Sequence, residues 1–550
     1  MRTFLCLLVF VACSLDRNPV VAADTILPSA DLPIEQVIDQ FIQQRIDAEK
    51  VTSAPQATES NLVRRLTLDL AGRIPTTIET QNFIANTNAM KRVEWVDRLL
   101  SSSDFAQHQR NELDRMLLPN KPNDGEFRKY LLWSVQQNRS WDQMFRDMLI
   151  GDEADENRKA ALTFLKSRAR DLDDLTNDTA ILFFGVNVTC AKCHDHPLTP
   201  DWKQHHYFGM ASFFSRTYVT KKNLLAEMPF GEVKFKNKKS TDTKGEQTAK
   251  FQFLTGSIVD EPVVERSPDE LKKIDELVKA AMQKDDAPPP EKPSFSPREK
   301  LVEVALRVED NKFFARNIVN RVWERLMGRG LVHPVDQLHS ANAPSHPELF
   351  DWLVRDLVTH GYDLKRLIRG IVLSQTYSRS SEWTAATEVP QPALFAVARV
   401  KPLTPRQYGL SLLMATHNPT QWPALNQAEQ WAQRREQLEN AANGWANQFE
   451  MPGESFQVAV DEALLFANNK RIEDEFLRDS NDRLVGHLKS LTDDSAMLDA
   501  AIWAMYSRAP RDDERAALSE FLKSRTGDRI AAIKQLVWVL ITSPELRFSF

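Results

Sequence analysis

The sequence predicts a mainly α-helical fold of two helical domains joined by a small β-hairpin and a proline-rich connector. Three observations carry this. Apolar residues return every three or four positions on both sides of the connector, the spacing of one helix face. Glycine is scarce, 17 of 550 residues, well under the usual ~7%, which argues against sheets with many tight turns. Strand-like alternation is confined to one short region. The chain is also too long for one compact core. Its 42% apolar and 27% charged residues exclude wholesale disorder and a multispan membrane protein.

Taken in order, residues 1–23 read MRTFLCLLVFVACSLDRNPVVAA, with basic Arg2, an apolar stretch from Phe4 to Leu15, and small residues at Val21 and Ala23. This is the pattern of a secretory signal peptide, and the apolar stretch is too short for a bilayer that needs roughly 20 residues. Lipoprotein processing at Cys13 is a less favoured reading, because Phe10 fits poorly where a small aliphatic is preferred. No later stretch is long and apolar enough to span a membrane. The mature chain is therefore expected to be exported, to the periplasm or beyond.

The first helical domain is placed at 32–219. Ile34, Val37, Ile38, Phe41 and Ile42 form one helix face, and Leu62, Val63, Leu66 and Leu70 form another. Pro75 with Thr76 and Thr77 opens a further helix. The run Asn177 to Val186 ends at Gly185, and Tyr207 to Phe214 is helical again. Between 220 and 296 the character changes. Gly231 to Phe235 and Ala249 to Leu254 alternate like two strands of a hairpin, separated by a Lys- and Thr-rich tract. A charged helix from about Ser267 to Lys284 then runs into DDAPPPEKPSFSP, an extended connector. The second domain, 297–550, contains a regular helix in which Ile318, Val322 and Leu326 share a face and Gly328 ends the element. Ser345 or His346, with Pro347, starts the next.

Four cysteines are present, and Cys6 and Cys13 fall in the leader. The other two belong to one motif, CAKCHDH at 190–196. Cys190, Cys193 and His194 fit C-x-x-C-H, the attachment pattern of a c-type haem. Two thiols three apart reach the two vinyl groups of one porphyrin, and the next imidazole becomes the iron's proximal ligand. Two randomly placed cysteines at this spacing, followed by histidine, have a chance on the order of 10⁻⁴. Candidates for a second ligand are His196, His205, His206 and Met210. Phe183, Phe184, Tyr207, Phe208, Phe213 and Phe214 could wall a haem or pack an ordinary core.

Two alternatives use the same residues. One is a zinc-type site at Cys190, Cys193, His194 and His196, with His205 or His206 supplying a missing arm. The other is a Cys190–Cys193 disulfide in a non-catalytic binding module. Asp195 reads equally as a partner of an imidazole or as a turn residue. His333, His339 and His346 offer a weaker, second metal site. Arg321, Arg325 and Arg329 form a stripe that reads first as ion pairs with carboxylates such as Glu324 and Asp336, and second as a site for an acidic polysaccharide. A net charge of −6 without a basic run gives no reason to expect nucleic acid. P-loop, G-x-G-x-x-G, H-E-x-x-H and G-x-S-x-G motifs are absent.

Long stretches are also similar to a known pair of domains. NLVRRLTLDLAGRIPTTIETQNFI and GVNVTCAKCHDHPLTPDWKQHHYFGMASFF resemble the planctomycete cytochrome-like domain of unknown function, numbered 1549. NKFFARNIVNRVWERLMGRGLVHPVDQLHSANAPSHPELFDWLVRDLVTHGYDLKRLIRGIVLSQTYSRSS resembles the domain that usually follows it, numbered 1553. The resemblance implies an exported protein with haem at Cys190, Cys193 and His194, an electron-transfer partner protein, and a link to polysaccharide breakdown. The chain departs from relatives at QHQRNELDRMLLPNKPND, where a Trp- and Arg-rich helix is usual. It also has Met210 where Leu is frequent, which weakens Met210 as a ligand.

Overall fold

The computed structural model describes residues 27–119, 124–196, 199–236, 246–307, 309–310, 313–424, 426–453, 460–525 and 527–550. The expected leader, with Cys6 and Cys13, lies outside them. The fold is mainly helical, with 24 α-helices and four two-stranded sheets among the described residues, three of them hairpins and the fourth joining Lys401–Pro402 to Phe548–Ser549.

Helix starts fall where short polar side chains can bond the unpaired N–H groups of a first turn. Thr76 and Glu79 form a capping box ahead of the helix Thr77–Ala85. Ser267 and Glu270 do so for Pro268–Gln283, and His346 precedes Pro347–Thr359. Glycines with positive φ close the helices Leu172–Phe184 and Phe314–Met327, at Gly185 and Gly328.

The strand region differs from its expectation. Lys234–Lys236 pairs with Glu246–Thr248, inside the tract read as a loop, while Phe251–Gln252 begins a separate hairpin with Ile258–Val259. A further hairpin joins Thr217–Val219 to Leu225–Glu227. In the first of these pairs Phe235 is the only buried side chain, so polar alternation concealed the partner strand.

The connector divides the sequence but not the core. One large apolar cluster runs from Ile34 to Ala396, and a second is built from Leu403 to Leu546 with Leu68 and Ile74. The rings of Trp141 and Phe145, before the connector, pack on Phe314, after it, with centroids 6.2 and 4.6 Å apart. Each such pair is worth about 0.5–1.5 kcal/mol beyond its buried area. Polar ties cross the same boundary. Arg65 donates to the carbonyls of Tyr377, Arg379 and Phe550 at 2.6–2.9 Å. Lys401 bonds Asp69 and the last carbonyls of Phe314–Met327. No helix among the described residues is long and apolar enough to cross a membrane.

Candidate functional site

The C-x-x-C-H motif sits in a short 3₁₀ turn, Thr189–Lys192, between the helices Leu172–Phe184 and Gln204–Ser212. Ala191 is fully buried and anchors the turn in the core, while Cys190 and Cys193 are exposed and free. The small alanine between the cysteines thus sets which way the thiols face. The turn is tied on both sides. Gln204 Nε2 donates to the Lys192 carbonyl at 3.0 Å, and Lys192 pairs with Asp173, which also accepts from the Tyr207 hydroxyl. Burial would raise the Asp173 carboxyl, but Lys192 and Tyr207 outweigh it and hold it below its ordinary range.

The four histidines of this segment are not equivalent. His194 Nδ1 lies 2.7 Å from the Asp195 carbonyl, and a carbonyl only accepts, so Nδ1 carries the proton. In a neutral ring its Nε2 is then a lone pair, as a metal-binding imidazole requires. His196 Nδ1 accepts from Thr199 N–H, and His206 Nδ1 accepts from Lys203 N–H, both at 3.1 Å. In neutral rings that fixes the proton on Nε2, so these two cannot offer Nε2 to a metal while the bonds stand. Burial first, then neighbouring His205 and Lys203, pushes His206 down to about 4. His196 is lowered by burial, then by His339 and His194. His205 is exposed. Its pKa is also lowered, by burial and then Lys203. Met210 is fully buried in the large core, so its thioether is spent in packing.

The aromatic residues also turn inward. Phe183, Phe184, Tyr207, Phe213 and Phe214 are buried, with Phe183 on Phe145 and Phe164, Phe184 on Phe253, and Phe213 on Phe251. Phe208 is half-buried and stacks on Phe235 at 4.5 Å. The thiols and His194 therefore fit covalent haem attachment, while the aromatics build core rather than an enclosing pocket. Asp195 accepts from Gln204 N–H at 3.3 Å through its side chain, at the start of the following helix, and serves His194 only through its carbonyl. Among the described residues no group of three or more His, Cys, Asp or Glu could hold a metal ion.

Residues far along the chain complete the surroundings. Leu338 N–H donates to Gly185 O at 2.9 Å, Val186 bridges Gln337, and Asp201 accepts from Ser340 N–H and Oγ at 2.7 and 2.6 Å. His339, held between these contacts, keeps a buried Nδ1 with no hydrogen-bond partner. It lies near enough to help lower His196, and among the described residues it forms no metal-holding group with His333 and His346. No local pattern announces a contact between positions 139 residues apart. The arginine stripe is half-buried. Arg321 donates to Asn317 Oδ1 and the Ile181 carbonyl, at the end of the helix leading to the motif, and Arg325 donates to Gln109. Burial lowers both guanidinium groups.

Residues 37–219 match the PSCyt2 family, described as a protein of unknown function (DUF1549). Residues 297–522 match PSD1, likewise a protein of unknown function (DUF1553). No curated protein and no solved structure matches the chain.

Proposed function

Because the chain belongs to the family that carries a PSCyt2 domain followed by a PSD1 domain, we propose that it is an exported c-type cytochrome-like protein that passes electrons to or from a partner protein. The observation that carries this reading is the contrast among the histidines. His194, directly after two exposed free thiols, donates through Nδ1 to a carbonyl and in its neutral form leaves Nε2 for a metal, while His196 and His206 accept through Nδ1.

In this reading Cys190 and Cys193 would hold the haem through thioether bonds and His194 would ligate its iron. Bound haem would supply a one-electron iron couple. The Asp195 carbonyl orients the imidazole. Of the candidates for a second ligand, His205 is the one that is exposed and free of a backbone bond through Nδ1. A group held by surface thiols suits short-range exchange with another protein better than turnover of a substrate in a closed cavity. The zinc reading draws no support from the spacing of donors among the described residues.

The test is a pyridine haemochrome spectrum of protein produced with c-haem maturation machinery. The expected result is one haem that resists acid-acetone extraction and is lost in Cys190→Ser and Cys193→Ser. Correctly folded protein without covalent haem would overturn the reading.

A further inference from the structure

A cleft of about 920 Å³ opens where the first half of the chain meets the second. One wall is the start of the helix Thr77–Ala85, and the others are residues 419–424 and the helices Leu484–Ser490 and Asp494–Tyr506. Clefts of this size between domains suit a ligand of a few rings. None of the lining residues belongs to the cysteine motif.

Its apolar surface is largely planar. Trp422 and Trp503 line the cleft, and both are half-buried. Trp422 is held in position by His417 and Trp431, whose tilted rings have centroids 4.6 and 5.7 Å away, and by Arg434 over its ring at 5.8 Å. Trp503 enters no ring contact and no side-chain hydrogen bond among the described residues. Ile78, 46% exposed, adds a branched apolar side chain to the same lining. An apolar plane laid on Trp503 would take indole surface out of water, which is favourable in proportion to the area covered.

The polar groups show what must accompany that plane. Gln81, Asn82 and His487 line the cleft with side chains that form no hydrogen bond among the described residues. Thr77 Oγ1 is buried without a hydrogen-bond partner, a state that costs free energy until one arrives. Asp499 accepts from Arg515 through one carboxylate oxygen, at 2.5 Å, and keeps the other. It is the one formally charged residue of the lining among the described residues, and Arg515 compensates it. Burial lowers His487, so near pH 7 its ring is neutral, with one donor and one acceptor nitrogen.

These features exclude most classes of ligand. A charged ligand finds no unmatched counter-ion. A proline-rich peptide offers carbonyl acceptors but few N–H donors, which leaves Asp499 and the amide oxygens of Gln81 and Asn82 unmet. A purely apolar ligand would bury all of these groups unpaired. A pyranose ring meets both demands, because its C–H face is a flat apolar surface for an indole and its hydroxyls donate and accept around the edge.

From this combination we propose that the cleft binds a neutral oligosaccharide, one ring of which rests on Trp503 while its hydroxyls bond Thr77, Gln81, Asn82 and Asp499. Trp422 forms a fixed wall beside it. The site is independent of haem attachment at Cys190 and Cys193.

Calorimetric titration of the full chain with cellotriose, xylotriose, mannotriose, trigalacturonate and a polyproline peptide tests the proposal. At least one neutral trisaccharide is expected to bind, more tightly than trigalacturonate, with the peptide silent. Trp503→Ala should weaken binding by about tenfold or more, and Asn82→Ala should weaken it less, whereas Trp538→Ala, in a different cleft, should leave it unchanged. If Trp503→Ala does not fold, Trp503→Leu, which keeps apolar bulk and loses the plane, should still bind more weakly than the parent. The proposal is overturned if no neutral trisaccharide binds at concentrations near ~10 mM, if trigalacturonate or the peptide binds as tightly as the best of them, or if Trp538→Ala weakens binding as much as Trp503→Ala.

Discussion

Gly185→Ala is expected to loosen the motif's surroundings far more than an ordinary helix-end substitution. Gly185 has φ +67°, and a Cβ there would lie 2.8 Å from both Asn317 Oδ1 and Leu338 Cδ1. Two costs follow. The left-handed backbone costs about 1–2 kcal/mol for a residue with a side chain, and pressing a methyl into packed neighbours costs about 1–3 kcal/mol. Gly361 separates the two, because its φ is +63° and nothing lies within 4 Å of an added Cβ. Gly361→Ala should therefore show the backbone cost alone, and Gly185→Ala roughly 2–5 kcal/mol. Urea unfolding of both variants, read by midpoint and slope, measures the difference. Equal shifts for the two variants would refute the claim that Gly185 is held between Asn317 and Leu338.

Other expectations are as follows. Burial pushes His108 down to about 4, below its unfolded value of ~6.5, so the unfolded chain binds the extra proton first. His108 thus contributes stability that is complete above about pH 6.5 and is lost as pH falls toward 4, by roughly 2–3 kcal/mol. His108→Gln should flatten the pH dependence of the unfolding midpoint over that window, and parallel curves would count against the assignment. Arg73 is 2% exposed and holds Glu79 at 2.7 Å and Asp104 at 2.6 Å, so Arg73→Met leaves the buried Glu79 carboxylate without its guanidinium and Asp104 with Arg435 alone. A loss of about 3–5 kcal/mol is expected by denaturant unfolding, and a loss under about 1 kcal/mol would contradict it. In haem-loaded protein, His196→Gln should leave the haemochrome yield and the visible spectrum unchanged, whereas His194→Gln should shift the spectrum. Identical behaviour of the two variants would remove the tautomer argument.

Much of this fold is legible locally because its causes are local. Thr76 with Glu79, Ser267 with Glu270, and His346 with Pro347 mark helix starts within four residues. Gly185 and Gly328 mark helix ends through a backbone angle that other residues resist. The hairpin was legible in kind and not in register, since Glu246–Thr248 has no apolar alternation to declare its face. In the site, the spacing of Cys190, Cys193 and His194 is a matter of sequence alone. The inequality of the histidines is not, because it rests on which backbone N–H or carbonyl meets each Nδ1. Arg321 illustrates the same limit. Its periodicity places it on a stripe with Arg325, but only the packed helix 172–184 turns that stripe inward, onto the Ile181 carbonyl.

The same contacts give the second half of the chain a physical role beside the first. Gly185, the last fixed point before the cysteines, is enclosed by Asn317 and Leu338, and its carbonyl is bonded by Leu338. Asn317 Nδ2 reaches the Leu182 carbonyl at 2.7 Å, and Arg321 reaches that of Ile181 at 2.8 Å. The first closes a carbonyl left open at a helix end, where burial without a partner costs free energy, and the second adds a donor to a carbonyl that already accepts from Gly185 N–H. Beyond the cysteines, Asp201 is held by Ser340. The described residues on either side of the motif, 185–186 and Asp201, are thus held by residues 317–340. A short exposed turn with one buried alanine has little packing of its own to define it, so its geometry depends on that clamp. The helical partner that follows the connector is in this sense part of the motif's support, which is a structural reason for the two domains to occur in one chain.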